Sequence, residues 1–359
     1  MPDARRFGLL VQVGAVLLAL LSTTLVLLAT GAPPLEAFSS IVVGSVGSWG
    51  KFSDVLVSWS PLLVVTAGLL ITFSAGLWNI GIEGQVTLGA VFTTGALFAL
   101  QESGWNPALV ITLAMLAGML GGALWAALAG ALKTFGGVNE IFGGLGLNFV
   151  ATGLNLWLIF GLWKRPGVAS MSGTVPFDEA FSLPTLPGSR LSLVAVGLAV
   201  LSILLVYFLL KGTYFGLRLK AIGKNAKAAY LLGVPTWQYT MLSFMLCGMF
   251  AGLAGAMQVT AVYHRLIPSI SSGYGFLGLL VAMLVNFHPA WVAPVALFFA
   301  ALNIGSIQLP VVLKLDSALA GVLQGTLVLF VLMADGVQQK LMRGALRSED
   351  GTAERGESA

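Results

Sequence analysis

Charged residues in this chain are sparse and so unevenly spaced that they divide it into long uncharged stretches. Those stretches run over 7–35, 55–82, 84–101, 103–132, 141–163, 191–210, 228–264, 266–313 and 317–334. A charge at the centre of a bilayer costs about 2.5–3.5 kcal/mol on insertion scales, and a spanning helix needs ~20 apolar residues, so the gaps mark membrane crossings. The stretch 266–313 has room for two, with Asn286-Phe287-His288-Pro289 supplying the turn between them. The expected fold is an all-α membrane protein, a polytopic bundle of about ten transmembrane helices. Composition agrees: 57% of the 359 residues are hydrophobic and 9% charged, too few charges to cover a water-soluble globule of this size. The 45 glycines suit helices that approach one another closely in lipid.

Arg5 and Arg6 precede the first apolar run, which places the N-terminus in the cytoplasm. Ten alternating spans then leave 12 Lys and Arg residues inside and 6 outside, with both termini cytoplasmic. The apolar run from Gly8 to Thr30 exceeds the ~7–15 residues of a signal-peptide core and is read as the first helix. On this reading residues 1–347 are the transmembrane domain, and the polar 348–359 is a disordered cytoplasmic tail. The segment Gly31 to Ser60 mixes Trp49, Phe52 and Trp59 with Lys51 and Asp54, the pattern of an amphipathic helix at the outer interface. The Pro-, Ser- and Gly-rich segment from Pro166 to Arg190 is expected to be irregular.

One cysteine, Cys247, forms no disulfide within the chain, and with two histidines it makes no zinc cluster. The net charge of +4 reflects basic residues flanking spans and gives no reason to invoke nucleic acid. No GxxxxGK[ST] phosphate loop, HExxH or GxSxG occurs, so neither ATP hydrolysis nor these hydrolytic chemistries are legible here.

The most informative polar segment runs from Lys211 to Pro235, with five basic residues and no acidic one. Asn225 is placed to cap a short helix from Ala226 to Leu232, and Gly233 with Pro235 to stop it. A basic, orientation-setting loop on anionic headgroups accounts for the charge. It leaves the apolar edge Tyr230-Leu231-Leu232 uncovered, and a groove on a partner protein would cover it.

This segment, AIGKNAKAAYLLGV, resembles the coupling segment of ABC importer permeases of the ribose, nucleoside and branched-chain amino acid type. GLWNIGIEGQVTLGA (Gly76 to Ala90) is similar to the Asn-Ile-Gly-X-Glu-Gly-Gln signature of the simple-sugar and nucleoside branch. GGVNEIFGGLGLNFVATGL (Gly136 to Leu154) and GYGFLGLLVAMLVNFHPAWVAPVALFFA (Gly273 to Ala300) resemble two further stretches of that branch. One departure stands out: where many relatives carry a basic residue before the Asn-Pro or His-Pro step, this chain has Leu284-Val285-Asn286-Phe287. The resemblance implies a multi-pass permease of the bacterial inner membrane, with Gly223, Asn225, Ala228, Ala229, Tyr230, Leu231 and Gly233 in a short cytoplasmic coupling helix and its flanks. It implies a cytoplasmic ABC ATPase that binds ATP and Mg, a second permease subunit, the same or related, and an extracytoplasmic solute-binding lipoprotein. The chain itself, surrounded by membrane lipid, binds no cofactor and is not an enzyme. Its expected function is alternating-access import of nucleosides, with simple sugars or branched-chain amino acids as alternatives.

Candidate pathway residues follow from polarity inside apolar runs. Asn79, Glu83 and Gln85 lie among Gly76, Gly81 and Gly84, where the backbone is free to leave the helix; an unwound pathway segment and a plain inner turn both fit. Asn139 and Glu140 open the fifth apolar run, and Asn148 and Asn155, seven apart, share one face, suited to a pore lining or to interhelical hydrogen bonds. Gln258, Asn286, Asn303 and Gln308 admit the same two readings, and Phe142, Phe149, Trp157, Tyr274 and Phe276 are of the type that stacks on a nucleobase or simply packs. An ion-coupled secondary transporter with Glu83 and Glu140 as coupling acids is the rival reading; it gives the short basic helix no task.

Overall fold

A computed structural model of the chain describes residues 2–29, 31–167, 172–314 and parts of 321–334, with side chains at 14 and from 17 onward; the proposed tail 348–359 lies outside the described residues. Thirteen α-helices are described: α1 Pro2–Ala29, α2 Pro34–Val46, α3 Trp49–Ser74, α4 Ile82–Leu100, α5 Pro107–Thr134, α6 Glu140–Trp157, α7 Leu193–Gly212, α8 Tyr214–Lys224, α9 Ala226–Leu231, α10 Thr236–Met257, α11 Tyr274–Leu284, α12 Pro289–Ser306 and α13 Gln308–Val312. Single π-helical stretches continue α6 over Leu158–Leu162 and α10 over Gln258–Tyr263. No strand occurs among the described residues.

Helix ends follow local chemistry. Asn106, Asn139, Ser192, Thr213 and Asn225 each accept a backbone N–H as the N-cap of a helix, and Pro107 opens α5 where no N–H is needed. Among the described residues, six helices are long and apolar enough to cross a membrane: α3, α5, α6 with its π extension, α7, α10 with its extension, and α12 with α13. The described part of α1 and α2 form a pair bent by 112°, a seventh if counted as one span. By this measure ten is not reached among the described residues, for identifiable reasons. Helix α4 carries Glu83 and Gln85 in its first turn, α11 has only 11 residues, and the stretch 317–334 is described only in part.

The segment Gly31 to Ser60 is not one interfacial helix. Ser48 accepts the Lys51 N–H and starts α3 at Trp49, and Ser53, Val55, Ser58 and Ser60 are buried, so this stretch packs as the first turns of a span. The described residues of the segment Pro166 to Arg190 are irregular apart from a 3₁₀ turn at Glu179–Phe181. It is pinned to the end of α10 by Thr174 N–H to Leu266 C=O, 2.9 Å, Phe177 N–H to His264 C=O, 2.8 Å, and Leu183 N–H to Thr260 C=O, 2.9 Å.

The described residues divide into two compact units, those up to Ser45 together with those from Leu302 onward, and those from Val46 to Ala301. In the first, Leu27, Ala32, Ala37, Ile41 and Leu309 form a small apolar core. In the second, α3 is central, with every residue from Leu62 to Phe73 buried. Helices α4, α5 and α10 meet along a glycine seam: a Cβ on Gly252 would run into the Gly118 backbone, and one on Gly122 into Gly248 and Gly252. Between aliphatic tails and lipid there is no hydrophobic preference, so close backbone packing of this kind holds membrane helices together.

Candidate functional site

Helix α3 ends at Ser74, and the chain leaves helical geometry over residues 75–81 before α4 begins. A break inside a bundle frees backbone groups that lipid cannot satisfy, so side chains must do so. Asn148 on α6 takes both tasks: its Oδ1 accepts the Gly84 N–H at 2.8 Å and its Nδ2 donates to the Ile80 carbonyl at 2.9 Å. Within the break, Asn79 and Gln85 face each other as paired amides, Nδ2 to Oε1 and Nε2 to Oδ1, both 2.9 Å, and both side chains are fully buried. Asn79 Nδ2 also donates to Cys247 Sγ on α10 at 3.1 Å. Gly81 lies against Gly144 of α6, where a Cβ on Gly81 would stand 3.1 Å from the Gly144 Cα.

A second interruption faces the first. After the π turn of α10 the chain runs without helix to Gly273, where the short α11 begins. Glu83 reaches this N-terminus: its Oε1 accepts the Gly273 N–H at 3.1 Å and its Oε2 the Gly275 N–H at 2.7 Å. A carboxylate there satisfies orphan donors and meets the positive end of the helix dipole. Asn155, two turns beyond Asn148, donates from Nδ2 to the Ile267 and Pro268 carbonyls at 3.1 and 3.0 Å. Gln258 donates to the Ile270 carbonyl at 3.2 Å and to Ser272 Oγ at 3.1 Å. The two interruptions are thus joined through Glu83 and held by a pair of asparagines on α6.

Of the six residues singled out from sequence, the structure brings Asn79, Glu83, Gln85 and Asn148 together and sets Asn139 and Glu140 apart. Asn139 caps α6, its Oδ1 accepting the Ile141 N–H at 2.9 Å, and Glu140 pairs with Lys133 at 2.6 Å. The aromatics divide likewise. Phe142, Phe149 and Trp157 are exposed along α6, whereas Tyr274 is buried with its hydroxyl donating to Ser58 Oγ at 3.0 Å.

The basic segment forms α8 and α9, separated at Asn225, whose extended backbone breaks the helix while its Oδ1 caps the next one through the Ala228 N–H at 3.0 Å. Helix α9 stops one residue short of the expected end. Gly233, at φ +82°, donates to the Tyr230 carbonyl, and Val234 donates to that of Ala229. Ala229 is buried, while Tyr230, Leu231 and Leu232 are 67%, 84% and 83% exposed. At the end of α8, Gly223 meets the break after α3 backbone to backbone. A Cβ on Gly223 would stand 2.5 Å from the Ser74 carbonyl oxygen, and one on Gly76 would stand 3.1 Å from the Gly223 Cα.

A profile of the family described as "Branched-chain amino acid transport system / permease component" matches residues 51–332, a range that takes in both interruptions and α8–α9. The chain belongs to this family.

This permease is 30% identical over 331 residues to the glucose ABC transporter permease protein TsgB13 of Haloferax volcanii, covering 89% of this chain and 86% of that one. It is 26% identical to the guanosine ABC transporter permease protein NupP of Bacillus subtilis, covering 90% and 92%. With the nucleoside ABC transporter permease protein NupB of Lactococcus lactis it shares 22% identity over 98% of each chain.

Cys247, Gly273 and Gly275, three contributors to the permease's polar knot, escaped the sequence reading. Cys247 carried no signal at all. Gly273 and Gly275 lay in a quoted Gly-Tyr-Gly run, and a helix start there was available from the glycines, but its carboxylate partner stands 190 residues earlier. Gly76, read from sequence as a place where the backbone can leave the helix, takes φ +71° and is required by both the turn and the close approach of Gly223, a contact that sequence did not signal.

Proposed function

We propose that this chain is the permease subunit of an ATP-binding-cassette importer that moves nucleosides, or closely related small polar solutes, by alternating access. The observation that carries the proposal is the contact of Gly223, at the end of α8, with the break at 75–81, because α8 leads through Asn225 directly into α9 with its uncovered apolar edge and so links that edge to the polar interior of the bundle. Tyr230, Leu231 and Leu232 dock into a partner ATPase, which binds ATP and Mg. Its closure displaces α9, Gly223 carries the displacement to residues 75–81, and the Asn79–Gln85 pair with Glu83 passes it to α4 and α11. An extracytoplasmic solute-binding lipoprotein delivers the solute, a second permease subunit completes the pathway, and both termini face the cytoplasm. The nucleoside assignment is supported by relatives that carry that word or guanosine in their names. A simple-sugar substrate is the second reading, supported by the relative named for glucose at 30% identity.

The test is ATP-driven uptake of radiolabelled guanosine by proteoliposomes holding the full transporter, with Leu231→Glu and Leu232→Glu as variants. Both positions are exposed, so the substitutions spare the fold. Uptake that requires ATP and vanishes in the variants is expected. Uptake driven by a proton or sodium gradient and indifferent to them refutes the coupling scheme, and ATP-driven uptake of glucose but not guanosine replaces the substrate while leaving the mechanism standing.

A further inference from the structure

On the face that carries α8 and α9, a cavity of about 490 Å³ opens between the ends of α3 and α7, the helix α8 and the start of α12. Its volume falls in the range of small-molecule sites, ~300–1,000 Å³. Besides Ser74, its polar side chains are Lys211, Lys220, His288, Tyr207 and Trp291, and no carboxylate is among its described lining residues. Phe73 and Phe287, with ring centroids 4.6 Å apart, and Leu210 form an apolar floor. The floor is set by an unusual turn, in which Asn286 and Phe287 both take positive φ, 49° and 61°.

The lysines are held rather than loose. Lys220 Nζ donates to the Leu210 carbonyl, one of the free acceptors at the end of α7, at 2.8 Å, and Lys211 Nζ donates to Tyr207 Oη at 2.8 Å. Each ammonium retains further N–H donors. A second cavity, sharing Phe73, Ser74 and Lys220 with the first, continues the cationic groove to Lys224.

We propose that this cavity is a binding site for the headgroup of an anionic phospholipid. The ligand chemistry is a phosphodiester, recognised by Lys211 and Lys220, attached to an apolar body that leaves along α7. Two observations favour a lipid over a soluble phosphate. Val200 and Leu204, which share the α7 face of Tyr207 and Lys211, are exposed apolar surface leading away from the cavity, as required for acyl chains. Tyr207 and Trp291, the residue types of the membrane interface, flank the opening. Basic pockets between spanning helices at this level capture anionic headgroups, whereas a soluble anion has no use for the apolar wall.

The test uses the full-length chain in detergent, with phosphatidylglycerol, phosphatidylcholine or inorganic phosphate added, and native mass spectrometry to count retained adducts. Expected is preferential retention of phosphatidylglycerol that millimolar phosphate does not displace. The Lys211→Gln, Lys220→Gln double variant should lower that retention about thirty-fold. Ala290→Trp, which fills the cavity and leaves both lysines, should lower it as well. The Arg218→Gln, Lys227→Gln variant removes two charges from the same segment outside both cavities and should leave it unchanged. Equal retention of phosphatidylcholine, an equal loss in the Arg218 and Lys227 variant, or full retention in Ala290→Trp overturns the site. Displacement by phosphate overturns the lipid assignment. Thermal unfolding of each variant separates lost binding from lost fold, and the lysine and Ala290 variants decide the matter independently.

Discussion

Removing the Glu83 carboxylate should loosen α11 from the bundle, and the size of the effect is set by the groups it leaves behind. Glu83 accepts the Gly273 and Gly275 N–H groups at 3.1 and 2.7 Å in a part-buried setting. A donor stranded without a partner costs about 1–3 kcal/mol, and the lost charge at the helix N-terminus adds about 0.5–1 kcal/mol. With two donors stranded, Glu83→Ala should therefore destabilise the protein by about 2.5–7 kcal/mol. Glu83→Gln keeps one acceptor oxygen but turns an amide N–H toward the second donor, and should fall between, near 2 kcal/mol. Reversible unfolding by sodium dodecyl sulfate in mixed micelles reads both values, and limited chymotrypsin cleavage between Tyr263 and Tyr274 reports the local release. A Glu83→Ala protein within about 1 kcal/mol of the parent would refute the capping argument, as would equal loss in both variants.

Further outcomes follow from other contacts. A double-mutant cycle on Asn79→Ala and Gln85→Ala should return a coupling energy of about 0.5–2 kcal/mol, because each single change strands the other amide; strict additivity would contradict the pairing. Gly252→Leu should separate α10 from α5 and lower the unfolding midpoint by more than about 3 kcal/mol equivalent, with a normal melt ruling out the glycine seam. His264, in a left-handed conformation with Nδ1 2.9 Å from Ser182 Oγ, is held below its ordinary value of 6.5, first by burial and then by the Arg190 charge. The unfolded chain then takes up this proton before the folded one does, so stability should decline as pH is lowered from 7 through 6 and level off once the folded imidazole is also protonated. His264→Gln should lack that part of the pH dependence, and an unchanged profile would remove His264 as its source.

Much of the architecture was written in charge spacing and caps. The gaps between charges locate α5, α6 and α7 closely and α3 and α10 more coarsely, because no soluble alternative competes for a long uncharged run. Asn225 and Gly233 delimit α9 for reasons contained in nine consecutive residues. The polar knot was legible only as a set of residue types. Asn79, Glu83 and Gln85 announced a break in the helix, but whether it faced water or protein depended on Asn148, Cys247 and Gly275, none of them near in sequence. The start of α3 at Trp49 was missed because its polar and aromatic first turns read as an interface, and only burial against other helices distinguishes the two.

Asn148 and Asn155 are separated by two turns, about 10 Å along α6, and each grips a different non-helical stretch. Because they share one face, turning α6 about its own axis withdraws both grips together, whereas tilting it withdraws one and leaves the other. The helix therefore works like a key with two teeth. A quarter-turn would break both of its grips in a single event, leaving Glu83, Gln258 and the Asn79–Gln85 pair as the contacts that still hold the two interruptions.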